Sequence, residues 1–166
     1  MMNTYLRKDI ALYQKFESGL EKSLPDILDD LSTENWNRFM NDLVEARFLV
    51  FSGCASDILA MIRVRESDMR IIPLYTSLDE LLLTQPPPPD MRIAVMNFGS
   101  VCRMLVLHDS ISGIVVNPAG KRNFPIPSDK AIEILRFVSG QKLSQMMWRM
   151  GITQREESDK PTGKYH

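Results

Sequence analysis

Apolar residues near the start of the chain recur every three or four positions, which is the spacing of a helix with one buried face. The first such stretch covers residues 4–24, and Pro25 is expected to end it. A second begins after Ser32 or Thr33, either of which can cap a helix. Its apolar residues are Trp36, Phe39, Met40, Leu43 and Val44. The pattern predicts two amphipathic helices before the first strand.

Farther along, apolar residues form short continuous runs separated by turn sequences, which is typical of buried strands. The predicted strands are 47–52, 59–64, 69–75, 91–96, 114–116 and the proline-flanked edge strand 124–127. Helices are predicted to begin at Ser77, Asn97 and Ser128, each a good capping residue. Strands alternating with helices indicate a single α/β (α+β) domain with a mixed β-sheet of about five strands covered by helices.

The same pattern divides the chain into four segments. An N-terminal helix (1–25) precedes the α/β domain (26–138). A C-terminal amphipathic helix (139–152) follows, because Gly140 can end or kink the preceding helix. Residues 153–166 are polar and are expected to form a disordered tail.

The net charge and the short apolar runs exclude several classes of function. The net charge of −1 gives no basic field, so neither nucleic acid nor an anionic membrane is expected as a partner. No run of apolar residues is long enough to span a bilayer, and residues 1–25 lack the apolar core of a signal peptide. A cytoplasmic location is therefore expected.

The chain contains few residues suited to catalysis or metal binding. Cys54 and Cys102, even with His108 and His166, lack the spacing of a zinc site. Cys54 follows a predicted strand and His108 lies near a helix end, but nothing in the sequence brings the two together as a nucleophile and its base. We therefore expect no catalytic, cofactor-binding or metal-binding residues and no cofactor.

Two segments carry a resemblance to a known family. Residues 72–81, IPLYTSLDEL, are similar to the "lPvFTSleeL" segment of the SseB N-terminal domain family, and residues 113–118, GIVVNP, are similar to its "glviNP" segment. Tyr75 stands where the family usually has Phe. The resemblance covers roughly residues 20 to 137. The motif residues are Pro73, Tyr75, Thr76, Ser77, Glu80, Asn117 and Pro118.

The resemblance implies a fold rather than a reaction. The family name records enhanced serine sensitivity, which is a cellular phenotype, and it brings no established catalytic residues. The residues themselves predict two sharp strand ends: Ser77 and Glu80 form a capping box, while Asn117 can bond to the backbone two residues ahead and Pro118 fixes φ. These structural roles account for both motifs without a ligand.

The C-terminal segment has apolar side chains on two sides of a helix. Leu143, Met146, Met147 and Met150 share one face, while Trp148 points elsewhere. Either the methionine face completes the core, or Met146, Met147, Trp148 and Met150 form an interface with a protein partner or a second copy.

Three functions remain open at this point. The first is a non-enzymatic SseB-like accessory or regulatory module of a bacterial cytoplasm, which binds a protein partner or forms a homo-oligomer. The second is a small-molecule sensor or enzyme with a pocket near Thr76 and Asn117, to which Cys54 and His108 would contribute. The third is an adaptor associated with a secretion system.

Overall fold

A computed structural model of the chain describes residues 3–54, 59–64, 66–84 and 89–151. The helices are α1 (Thr4–Leu12), α2 (Ser23–Asp29), α3 (Thr33–Glu45), α4 (Leu78–Leu82), α5 (Phe98–Leu107) and α6 (Ser128–Arg149), with a single 3-10 turn at Gly19–Glu21. The strands are β1 (Arg47–Gly53), β2 (Ile62–Arg63), β3 (Arg70–Leu74), β4 (Met91–Asn97), β5 (Ile111–Val116) and β6 (Phe124–Pro127). The α+β class and the single domain are confirmed.

The described strands form two sheets joined at one point. Strands β1 and β4 make an antiparallel ribbon, while the other four have the order β2-β3-β5-β6, with β3 and β5 parallel. The sheets meet where the backbones of Leu49 and Tyr75 exchange hydrogen bonds of 2.9 and 3.0 Å. Strand β6 is at an edge, as its prolines predict.

Strand β1 separates two apolar clusters because its side chains alternate between the two faces of the ribbon. Phe48 and Val50 belong to the main core, which α3, α5 and α6 cover. Leu49 and Phe51 belong to a second cluster, to which α1 contributes Leu6.

Apolar residues from the predicted helix after Ser32 and from the predicted strands share the main core, with one difference in degree of burial. The buried residues of the main cluster include Phe39, Leu43, Phe48, Val50, Ile72, Leu74, Ile114 and Val116. Trp36 packs against this cluster but is only half-buried, because its ring lines a surface groove.

The structure differs from the predicted segments at both ends of the domain. Residues 1–25 do not form one helix, since α1 ends at Leu12 and α2 begins at Ser23. Pro25 lies in the first turn of α2, where its missing N–H has no helical partner to lose.

At the other end, α6 continues through Gly140 to Arg149, so residues 139–149 are part of the same helix rather than a separate one. A single glycine weakens a helix by about 1 kcal/mol and does not interrupt it. The predicted tail, 153–166, lies outside the described residues. Within the described part of the chain, none of the helices has the length and apolar character needed to cross a membrane.

Candidate functional site

The two family motifs meet at the carboxyl ends of β3 and β5. These strands are parallel, and Leu74 is paired with Val116. The N–H of Asn117 donates to the carbonyl of Leu74 over 2.8 Å, which extends the ladder by one bond. Thr76 and Asn117 therefore leave their strands side by side.

The side chain of Asn117 joins the motifs directly. Its Oδ1 accepts a hydrogen bond from the N–H of Thr76 at 3.0 Å, and its Nδ2 donates to Thr76 Oγ1 at 2.9 Å. Both residues are buried. The backbone of Asn117 has a φ of 52°, a left-handed conformation that asparagine adopts more readily than most residues.

A third residue, Glu21, completes this network from outside the motifs. Thr76 Oγ1 donates to Glu21 Oε1, so the polar chain runs from Asn117 through Thr76 to Glu21. The 3-10 turn is positioned by the N–H of Ser18, which donates to the carbonyl of Thr76 at 2.8 Å. The network thereby fastens the N-terminal segment to the ends of the central strands.

The cap of α4 forms only half of the predicted capping box. Ser77 Oγ accepts a bond from the N–H of Glu80 at 3.3 Å, as predicted. The Glu80 carboxylate does not complete the box: its Oε2 is buried with no hydrogen-bond partner among the described residues. Burial, followed by the charges of Glu21 and Asp79, raises the pKa of Glu80.

Gly120 lies close to the carboxyl group of Glu80. A Cβ on Gly120 would lie 3.2 Å from Glu80 Cδ and closer still to its Oε2. The turn after Asn117 therefore packs directly on the Glu80 carboxyl group.

The remaining motif residues complete the packing around the strand ends. Pro73 is paired with Val115 inside the sheet, and Pro118 lies in the turn after β5. The buried ring of Tyr75 meets Phe51 edge to face, and its hydroxyl is 3.0 Å from Thr84 Oγ1. Burial raises the pKa of Tyr75, so the hydroxyl stays protonated and keeps this bond.

The structure does not assemble the predicted pocket of Thr76, Asn117, Cys54 and His108. Thr76 follows Tyr75, which pairs with Leu49 in β1, whereas Cys54 lies five residues beyond Leu49, about 16 Å along the strand direction. His108 is exposed and ends α5 through its backbone N–H, which donates to Met104 at 3.0 Å.

The second cysteine is unsuited to nucleophilic chemistry. Cys102 is buried, and its Sγ lies 3.7 Å from the carbonyl of Ala131. Burial raises its pKa to about 11, so the thiol is protonated near neutral pH. Among the described residues, no group of three or more His, Cys, Asp or Glu could hold a metal ion.

The predicted interface residues occupy the C-terminal half of α6, residues 139–149, which we call the distal half. The last buried residue of α6 is Val138. Beyond it, Met147 is half-buried, while Leu143, Met146, Trp148 and Met150 (the C-cap) are more than half exposed, Trp148 by 71%. The methionine face therefore does not complete the core.

An open groove lies beside the first half of the same helix. It has a volume of about 330 Å³ and lies between α3 and α6. Its lining residues are Trp36, Asn37, Met40, Lys130, Glu133, Ile134 and Phe137. We call it the α3–α6 groove; its apolar lining consists of buried Met40 and Ile134 and the partly uncovered rings of Trp36 and Phe137.

Sequence reasoning missed two polar residues that hold α1 and the 3-10 turn in place. Buried Asp9 accepts bonds from Arg92 Nη2 at 3.0 Å and from the N–H of Ile93 at 2.9 Å. Its position three residues after Leu6 lies on the apolar stripe of α1, which was a signal for a buried partner. Glu21 gave no such signal, because it contacts Thr76 across 55 residues of sequence.

The comparison with protein families agrees with this geometry. The model of the SseB protein N-terminal domain matches residues 20–131, which include Glu21 and both strand-end motifs and make up well over half of the chain. No curated protein matches the chain. The chain therefore belongs to the SseB N-terminal domain family.

Proposed function

We propose that the chain is a non-enzymatic accessory or regulatory module of a bacterial cytoplasm that binds a protein partner through the distal half of α6. The observation that carries the proposal is the exposure of Leu143, Met146, Trp148 and Met150 on a helix whose first half is anchored in the core. Exposed apolar side chains grouped in this way are typical of contact surfaces. Tryptophan and methionine are both enriched at the centres of such surfaces.

The hydrogen bonds and burial of several polar side chains support a role without catalysis. The side chains of Thr76 and Asn117 are bonded to each other, and the thiol of Cys102 is buried. Asp9 is held by Arg92 and by the backbone of Ile93. These groups stabilise the fold, which favours binding over catalysis as the function of the exposed surface.

The test compares two pairs of substitutions at exposed apolar residues. Met146→Ser with Trp148→Ala alters the distal half, and Val106→Ser with Leu107→Ala alters an equally exposed end of α5 as a control. We expect only the first variant to lose the complexes that the wild type forms, with itself or with proteins of a lysate, while both keep the wild-type melting curve. If the distal-half variant keeps the same mass and captures the same proteins, the proposed function is wrong.

A further inference from the structure

The α3–α6 groove and Trp148 lie on the same side of α6. Phe137 lines the groove, and Trp148 follows it by eleven residues of one continuous helix. Eleven residues make about three turns, so both side chains leave the helix in nearly the same direction, about 16 Å apart along its axis. One face of α6 therefore carries both an apolar opening and an exposed indole.

We propose that the groove is filled by Trp148 of a second copy of the chain, in a symmetric dimer whose α6 helices are antiparallel. This inference rests on the proposed function, because it names the partner of the distal half of α6. Trp148 cannot fill the groove of its own chain, since the rigid helix holds it about three turns away. In a two-fold contact each copy supplies one indole and one groove, so a single operation fills both grooves.

The residues near the implied two-fold axis suit such a contact. The axis would pass near residue 141, halfway between Ile134 in the groove and Trp148. Gln141 and Ser144 lie on the same face and carry no charge. A symmetric contact places each residue at the axis beside its own copy, so charged residues there would repel each other. Lys142 does not cause this conflict, because its ammonium binds Glu45 of its own α3.

The charges beside the groove are complementary in the same register. When Trp148 lies opposite Ile134, the next residue, Arg149, lies opposite Glu133 of the other copy. Glu133 is exposed, and its ion pair with Lys130 spans 3.6 Å, so its carboxylate remains open to a second cation. Opposite charges at the rim fix the register of a contact that apolar side chains alone would leave variable.

The first measurement is the dimer dissociation constant from sedimentation equilibrium of the full chain. Trp148→Ala removes the indole, and Asn37→Trp places a bulky ring at the exposed rim of the groove. We expect each substitution to weaken dimerisation by about 30-fold or more, the effect of losing a central anchor. Leu107→Ala removes an equally exposed apolar side chain from α5 and is expected to leave the constant unchanged.

Mixing the two variants distinguishes a symmetric exchange from a general loss of stability. A dimer of one Trp148→Ala chain and one Asn37→Trp chain keeps one intact contact, between the native indole of the second and the native groove of the first. The mixture should therefore associate more tightly than either variant alone. A mixture no tighter than the two variants would overturn the proposal.

A cross-link tests the position of the axis. Gln141→Cys, made together with Cys54→Ser, should form a disulfide between copies under mild oxidation, because only a residue near a two-fold axis lies close to its own copy. Leu107→Cys in the same background should not cross-link.

Other occupants of the groove give different results. A wild type that stays monomeric, but loses capture of another protein on Trp148→Ala, would overturn the second-copy proposal and leave the proposed function standing. If neither self-association nor capture depends on the distal half of α6, both proposals are wrong.

Discussion

Asn117 stabilises the centre of the molecule through bonds that no local pattern indicates. From the sequence, its amide is expected to bond to the backbone two residues ahead, as asparagine does in many turns. In the structure the amide bonds to Thr76, which is 41 residues away, and both motifs become parts of one contact. Both motifs were recognisable in the sequence, but the parallel pairing of β3 and β5 that brings the two motifs together was not.

A substitution of Asn117 by glycine isolates these bonds. Glycine adopts a φ of 52° without strain, so Asn117→Gly removes the side-chain bonds and little else. It leaves the buried N–H of Thr76 without its acceptor, and we expect the free energy of unfolding in urea to fall by about 1–3 kcal/mol. Asn123→Gly, at an exposed position in the following loop, serves as the control. An unchanged urea midpoint for Asn117→Gly would contradict this role.

Glu80 should make stability depend on pH in a defined direction. Its pKa is raised by burial and by the charges of Glu21 and Asp79, so the carboxyl group is harder to ionise in the folded than in the unfolded chain. Stability is then lost as the pH rises through the folded pKa, and Glu80→Gln avoids this loss. We expect the variant to match the wild type near pH 4 and to exceed it by about 0.5–1 kcal/mol near pH 7.

Thermal unfolding of both proteins across this pH range measures the difference directly. Glu34→Gln is the control, since it removes an exposed carboxylate from the first turn of α3 and is not among the charges that raise the pKa of Glu80. Glu80→Gln could instead be the less stable protein at neutral pH. In that case the carboxylate stabilises the fold through the α4 dipole by more free energy than burial and repulsion cost.

At the scale of elements, the strands and the capped helix starts were predicted well, but the helix ends expected at Pro25 and Gly140 were not. Buried strands are short continuous apolar runs, and these stand out in the sequence. The helix ends depended on Pro25 and Gly140, which were expected to interrupt helices. Both are instead accommodated within α2 and α6, because the cost of either residue depends on its place in the helix.

Two glycines should respond in opposite ways to alanine. A Cβ at Gly140 meets nothing within 4 Å, so Gly140→Ala should stabilise α6 by about 0.5–1 kcal/mol. A Cβ at Gly113 would lie 2.5 Å from the carbonyl oxygen of Ile126, so β5 and β6 must separate, at a cost of about 1–3 kcal/mol. Urea unfolding of the two variants measures both effects. A loss of stability in Gly140→Ala would contradict a continuous α6.

At the scale of the whole molecule, the strands form two sheets where one mixed sheet was predicted, and β1 is buried on both faces. Its run of Phe48, Leu49, Val50 and Phe51 correctly predicted a strand with no solvent-facing side. That run cannot indicate what covers each face. The second face is covered partly by α1, which lies outside the residues matched by the family model and is held by the bond between buried Asp9 and Arg92.

This arrangement predicts that the two clusters differ in how they lose stability. Leu6 and Leu24 are similarly buried, but Leu6 belongs to the second cluster and Leu24 to the main core. Because α1 contributes Leu6 to the second cluster and no residue to the main core, it can detach from the ribbon while the main core stays folded. Leu24 packs in the main core, so Leu24→Ala should lower global stability by about 2–5 kcal/mol.

Native-state hydrogen exchange distinguishes local detachment of α1 from global unfolding of the main core. In Leu6→Ala, the amides of α1 should exchange much faster, while that of Ile114 in β5 keeps its protection. In Leu24→Ala, protection should fall in both places together, because the slowest amides report global unfolding. Equal losses at Ile114 in the two variants would mean that α1 and the main core unfold as one unit. Helix α1 would then be as necessary to the fold as the segments that the family model matches.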